Sequence, residues 1–429
     1  MKKIFYLLLL LLLFGCEDNV ENIYRYSKLI TQSKEYPVYL DMREIGNILV
    51  KLNAPLETPF KILSNDKYYF VGDMLNGVHV YEKNGAGVNY LCFIECKYIK
   101  DFELFDSRLF CNNLVDMVVV DVSNPLDISV LHRQKNHFNR FTSYKENWNI
   151  PYEEENGLIV GTETYQLTGL VTEEEPDLDF SEYDQLYGNL QTTVIPDNWF
   201  SNQPEYDKPY IGMIKPGADE IYTYGSYNSW SICTYQSGVF RTREEDLWTN
   251  HRGDYAPPYY YSNAFPIRMF FEDEIIYILG KLDNASKGYC DCIIYNKNYP
   301  ISYPLYFPNF IPLDISYMSS MDAFFILTGT TVYGVFITGN GIPEFSYKTK
   351  EYPVETDAVE IFTVGDNIVT LGNELTVYSV SEDKISLVKK YTEISGICCK
   401  KEENLLVVAN TQGLFIYDIT NLENIQLIP

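Results

Sequence analysis

The chain has 429 residues, with 33 Lys and Arg against 59 Asp and Glu, a net charge of −26. That balance excludes a nucleic-acid binder, because a phosphate backbone demands clustered Lys and Arg. It equally excludes electrostatic docking on anionic lipid. The 38 Tyr and 24 Phe, together with short runs of β-branched residues, favour strands over helices.

At the start, Lys2 and Lys3 precede an apolar run of eleven residues, Ile4 to Phe14. A spanning helix needs about 20 apolar residues, so the run has the length of a signal peptide. Leu13-Phe14-Gly15-Cys16 resembles a bacterial lipobox, and Glu17 and Asp18 behind it resemble the export tag of Gram-negative surface lipoproteins. The resemblance implies a signal peptide over 1–15 and acyl chains on Cys16. It further implies an outer-membrane or cell-surface protein of a Gram-negative bacterium, held to its membrane by lipid. More than one acyl chain makes such an anchor stable. The competing reading is an ordinary cleaved signal with an incidental cysteine. Residues 16–35 are polar and aperiodic, as expected of a tether.

From about Tyr36 the chain repeats. Gly77-Val-His-Val-Tyr81 is followed 39 residues later by Asp116-Met-Val-Val-Val120, and Leu375-Thr-Val-Tyr378 is followed 39 residues later by Leu414-Phe-Ile-Tyr417. Weaker copies start at Ser231, Cys292 and Tyr333. A second apolar run precedes most copies: Tyr68–Val71, Arg108–Cys111, Ile275–Ile278, Ala323–Leu327, Asn367–Leu371 and Leu405–Val408. A third follows, as at Ile385–Val388 and Ile425–Ile428. Units of about 40 residues holding three or four short strands predict the blades of a β-propeller. Met117–Val120 is apolar at every position, as a strand covered on both faces must be.

Val118-Val-Val-Asp121-Val-Ser-Asn-Pro125 and Leu414-Phe-Ile-Tyr-Asp418-Ile-Thr-Asn421 resemble the LVIVD repeat, and Pro37–Glu44 looks like the lead-in of surface lipoproteins built from it. The resemblance spans most of 37–429. It implies an all-β propeller of about seven four-stranded antiparallel blades, with six or eight as alternatives, and it brings no catalytic residue. The expected layout is one propeller domain over 36–429, with insertions near 134–219 and 238–264. The terminal strands are expected to share a blade, Asn47–Leu52 supplying the N-terminal part and closing the ring.

Chemistry-bearing signals are sparse. No nucleophile elbow, zinc-protease helix, phosphate loop or dinucleotide fingerprint occurs, so no cofactor and no metal are expected. Asp177, Asp179 and Ser181 alternate in an acidic segment without the glycine and final Glu of an EF-hand loop, and read as solvated. Cys92, Cys96, Cys111, Cys233, Cys290, Cys292, Cys398 and Cys399 lack the spacing of a disulfide framework, and most read as core thiols. His79, inside an all-apolar run, reads as an interior histidine. The insertion 238–264 supplies the candidate binding residues. Trp248, Tyr255, Tyr259, Tyr260 and Tyr261 offer rigid contact area, and Arg241, Arg243 and His251 offer polar handles for an anionic group. The expected function is non-catalytic binding or scaffolding of a protein or glycan ligand by a monomer. The alternative is an extracellular polymer-processing (glycan) enzyme with its site at the propeller mouth.

Overall fold

The computed structural model describes residues 28–40, 46–85, 87–114, 116–135, 137–138, 152–153, 157–172, 177–182, 191–192, 211–215, 221–225, 230–236, 239–245, 264–272, 275–282, 288–294, 301–307, 311–328, 331–337, 347–352, 357–381 and 384–429. The chain divides into two compact units, 1–44 with 150–202, and 45–149 with 203–429.

In the smaller unit, Lys28–Leu40 pairs antiparallel with Gly157–Val171, in register from Lys28 opposite Val171 to Val38 opposite Gly161. Tyr152–Glu153 and Gln191–Thr192 complete a four-stranded sheet. Two expectations change here. Residues 28–35, read as tether, are strand, because the polar stretch finds a long partner in 164–171 rather than a core of its own. The span 36–429 is likewise two units rather than one domain. Asp177 is occupied locally, its Oδ1 accepting a bond from Gln32 Nε2 at 2.7 Å.

The larger unit is a β-propeller. Its described residues form seven antiparallel sheets, in each of which four strands run in chain order outward from the innermost. The first strands are Pro59–Ser64, Phe102–Phe105, Ile211–Ile214, Ala264–Glu272, Asp314–Met318, Glu360–Val364 and Cys398–Glu402, and we number the blades one to seven by them. First strands of successive blades lie against one another, and that of blade seven returns to that of blade one. The fourth and fifth blades meet through Arg268 and Asp314. The ring is thereby closed, with the first strands innermost.

The expected terminal pairing does not occur. Leu49–Lys51 adds a fifth, outermost strand to blade one by pairing with Gly87–Glu95, and blade seven is complete in four consecutive strands ending at Gln426–Ile428. Closure rests on packing instead. Ile62, Tyr69 and Val71 of blade one share a core with Val407, Ala409 and Ile416 of blade seven.

Alternation explains why the middle strands are apolar throughout. Val118 and Val120 pack toward blade one with Phe70, Val80 and Ile94, whereas Met117 and Val119 pack toward blade three with Met213 and Ile221. Each strand carries two cores, one per face. Asp116–Asp121 and Gly413–Asp418 are equivalent third strands of different blades, and their motif ends in the same turn. The Oδ1 of Asp121 accepts from the Ser123 amide, and that of Asp418 from the Thr420 amide, both at 2.8 Å. Asn124 and Asn421 then accept from the amides two residues on, which is the local bonding that makes Asx residues turn formers.

The insertions are shorter than expected. Ile211–Ile214 is the inner strand of blade three, and Val239–Glu245 is its outer strand. Cys92, Cys96, Cys111 and Cys398 are buried free thiols, and Cys399 is half-buried and free. His79 is fully buried, with Nε2 3.6 Å from Asp73.

Candidate functional site: the channel mouth

The inner strands enclose a cavity of about 690 Å³. Its wall is built by two copies of one device. In blade one, Pro59-Phe60-Lys61 carries a break in strand register between Pro59 and Lys61, and in blade four Pro266-Ile267-Arg268 carries the same break. Proline lacks the amide that a regular ladder needs, and the extra residue of a bulge re-aims the side chain that follows. In both blades that side chain is a base pointing at an aspartate on the next blade.

The first clamp joins blades one, two and three. Lys61 Nζ lies 2.9 Å from Asp101 Oδ1 and 3.3 Å from Glu103 Oε2, and donates to the Met213 carbonyl at 3.0 Å. The other Asp101 oxygen accepts the Met213 amide at 2.6 Å. Buried Asn112 holds the approach to this aspartate, its Oδ1 accepting from the amides of Lys100 and Asp101 and its Nδ2 donating to the carbonyls of Tyr98 and Leu114. Behind Lys61, Gly72 leaves room for two rings, since a Cβ there would stand 2.5 Å from Phe102 and 2.6 Å from Phe60.

The second clamp joins blades four, five and six. Arg268 Nη1 lies 3.2 Å from Asp314 Oδ1, and Nη2 lies 2.9 Å from Glu360 Oε2. Asp314 Oδ2 accepts the Ile361 amide at 2.7 Å, as Asp101 does with Met213. Blade seven bridges the two clamps. Lys401 donates to the Thr363 carbonyl of blade six at 2.9 Å, and Lys400 donates to Ser64 of blade one at 2.6 Å. Ser64 in turn donates to Glu402.

Each clamp sets one base against two acids in a poorly solvated place, so the acids resist ionisation. Burial pushes Asp101 and Glu103 up, against the pull of Lys61. Burial also pushes Glu360 up, to about 8, and the neighbouring Asp314 charge adds to this against the pull of Arg268. Lys61 moves up as well: burial alone would lower it, and the two carboxylates outweigh that. At the position of blade seven that matches Asp314 and Glu360 stands Cys398, whose thiol burial and the Glu360 charge push well up. Cys399 is raised by the same two causes. Neither thiol is a ready nucleophile near neutral pH. Among the described residues no group of three His, Cys, Asp or Glu side chains is arranged to hold a metal ion.

Of the residues expected from sequence to bind ligand, Arg241 and Arg243 lie in the outer strand of blade three, opposite Thr234 and Ile232, away from the inner strands. Arg241 is exposed. Trp248, His251, Tyr255, Tyr259, Tyr260 and Tyr261 lie outside the described residues, as does Cys16. The structure does not bring Arg241 and Arg243 to the channel, and the sequence reading did not single out the charged residues that line it. A signal for them existed: Pro-apolar-base opens blades one and four, and an acid opens the inner strands of blades five and six or stands just before that of blade two.

No protein-family model matches the chain, and no curated protein matches it in sequence. Among solved structures, the β-propeller domain of Myceliophteria thermophila Cps50 (Swd1) is 7% identical, with 87% of this chain and 100% of that chain covered at a TM-score of 0.44. Saccharomyces cerevisiae Sqt1 is 9% identical, with 88% and 97% covered at 0.43, and the Dos1 propeller is 9% identical, with 92% and 88% covered at 0.45. Likenesses this distant say nothing of function; the fold rests on the closed ring of blades described above.

Proposed function

We propose that this protein is a lipid-anchored, surface-displayed binding or scaffolding propeller that takes its ligand at the channel mouth. A propeller is a rigid frame whose blade strands are committed to packing on both faces, so recognition falls to its ends and rim. The observation that carries the reading is the roughly 690 Å³ cavity walled by fixed charged side chains. Its four carboxylates are already spent in bonds across blade junctions, as suits a preformed receptor surface better than a reaction centre. The anchor reading, with membership of the LVIVD-repeat surface lipoproteins, rests on Leu13–Cys16, Glu17-Asp18 and the two strand-turn motifs. Its test is Cys16→Ser followed by membrane fractionation. The variant should leave the outer-membrane fraction or accumulate unprocessed; a variant that fractionates like the natural chain defeats the anchor.

A second reading, a glycan-processing enzyme, is favoured by one observation: Glu360, pushed up to about 8, stands beside Asp314 in the cavity wall. Burial raises Asp314 as well, so the pair offers a carboxyl held protonated near neutral pH, as a general acid must be. Incubation with extracellular polysaccharides, read as new reducing ends, tests it. Release abolished by Glu360→Gln would establish the enzyme, and no release on any polymer leaves the binding reading standing.

A further inference from the structure

Charge is unevenly distributed around the channel. The lining of blades seven, one, two and three carries Lys400, Lys401, Lys61, Lys100 and Lys215 against Asp101 and Glu103, with Lys400 paired to Glu402 at 3.1 Å. The lining of blades four to six carries Arg268 against Asp314 and Glu360. One arc of the mouth is therefore basic, in a chain whose net charge is −26.

Two of these lysines are placed alike. Asp101 takes the Met213 amide as Asp314 takes the Ile361 amide, so Lys215 stands level with Thr363. Ile397 and Val359 donate their amides to equivalent second-strand carbonyls, those of Ala409 and Leu371, so Lys401 stands level with Thr363 too. Lys215 holds its ammonium 4.9 Å from the centre of the Phe105 ring, and Lys401 donates to a backbone carbonyl. Among the described residues neither has a carboxylate within ion-pair distance, whereas Lys61 and Arg268 each hold two. A cleft with low-dielectric walls concentrates the field of such charges, while the remainder of the acidic surface repels anions.

We propose that the basic arc of the channel mouth binds anionic groups, carboxylate, phosphate or sulfate, with Lys215 at its blade-three end and Lys401 at its blade-seven end as contacts. This rests on the mouth being the ligand site and names the ligand's chemistry. An ammonium is a point charge that accepts any of the three oxyanions. The clamps matter because they withdraw Lys61 and Arg268 from ligand duty and fix the strands that present Lys215 and Lys401. The anionic group belongs either to a free small ion or to a charged sugar of a polymer.

The experiment measures binding by the full chain in detergent to dextran sulfate and to uncharged dextran, with citrate and inorganic phosphate as competitors. Dextran sulfate should bind and uncharged dextran should not. The double variant Lys215→Glu with Lys401→Glu should weaken binding by at least about tenfold, the size expected for losing charge-assisted contacts. Lys215→Gln with Lys401→Gln should weaken it less, with the melting temperature unchanged, and Lys384→Glu on an outer loop should leave it intact. Displacement by citrate or phosphate at low concentration identifies a free anion as the natural group; displacement only by other charged polymer identifies the sugar. Absence of binding to every anion overturns the proposal, as does equal loss in the Lys384 variant. A neutral ligand found bound at the mouth, indifferent to both lysine variants, overturns the ligand chemistry and leaves the binding function in place.

Discussion

Glu360→Gln tests the electrostatics of the second clamp directly. Its Oε2 lies 2.9 Å from Arg268, with 10% of the side chain exposed, beside an Asp314 that is 4% exposed. The folded chain holds the Glu360 proton up to about pH 8, against an ordinary value of 4.5. A folded state that binds a proton more tightly than the unfolded chain is favoured at low pH and loses that advantage as pH rises. Between about pH 5 and pH 8 the linkage amounts to one proton, or about 1.4 kcal/mol of stability lost per pH unit. Glutamine keeps the shape and the bond from Arg268 but has no proton to lose. Urea unfolding of both proteins at pH 5.5, 6.5 and 7.5 isolates the effect, because the repulsion of the wider acidic surface is nearly common to both. The variant should gain on the natural chain at each step, by roughly the slope just given. A difference that stays flat across the three pH values would refute the raised proton affinity of Glu360.

In the first clamp, Lys61→Met strands two acids that are 9% and 11% exposed, and should cost about 3 kcal/mol in urea unfolding. Adding Asp101→Asn and Glu103→Gln should recover most of that loss, and a triple variant no better than the single would contradict the clamp. Gly72→Ala should destabilise by more than 1 kcal/mol or so, the ordinary cost of overpacking, because the rings of Phe60 and Phe102 already occupy the space a methyl would take. Burial pushes the Cys92 thiol up to about 11 and raises Cys398, while the hydrogen bond to Cys111, with burial, raises Cys96. A thiol reagent at pH 8 should therefore leave these three and buried Cys111 unlabelled until the protein unfolds, as peptide mapping would show; rapid native labelling at any of the four would contradict the packing.

Much of the propeller was legible because its repeat is a packing requirement. Val118 and Val119 must both be apolar when each faces a different neighbouring blade, and Asp121 and Asp418 must be short acceptors to close the same turn. What failed to show was long-range pairing. Lys28–Leu40 has no apolar periodicity, and its partner lies more than 120 residues away. Leu49–Lys51 carries one apolar pair and nothing that favours blade one over blade seven. The channel wall was missed for a different reason. Lys61, Asp101 and Glu103 sit in strands whose other residues are core, and only the closure of the ring sets a base of one blade beside the acid of the next. The tyrosine-rich insertion drew notice through composition, whereas the channel charges are dispersed over more than 300 residues of sequence.

On the proposed function, ligand enters at the channel mouth and not at the tyrosine-rich segment. A protein and glycan array probed with three forms of the full chain decides it: the natural chain, Lys215→Glu with Lys401→Glu, and Tyr259, Tyr260 and Tyr261 all changed to Ala. Whatever the natural chain captures should be lost by the lysine variant and kept by the tyrosine variant. Capture kept by the lysine variant and lost by the tyrosine variant would contradict it.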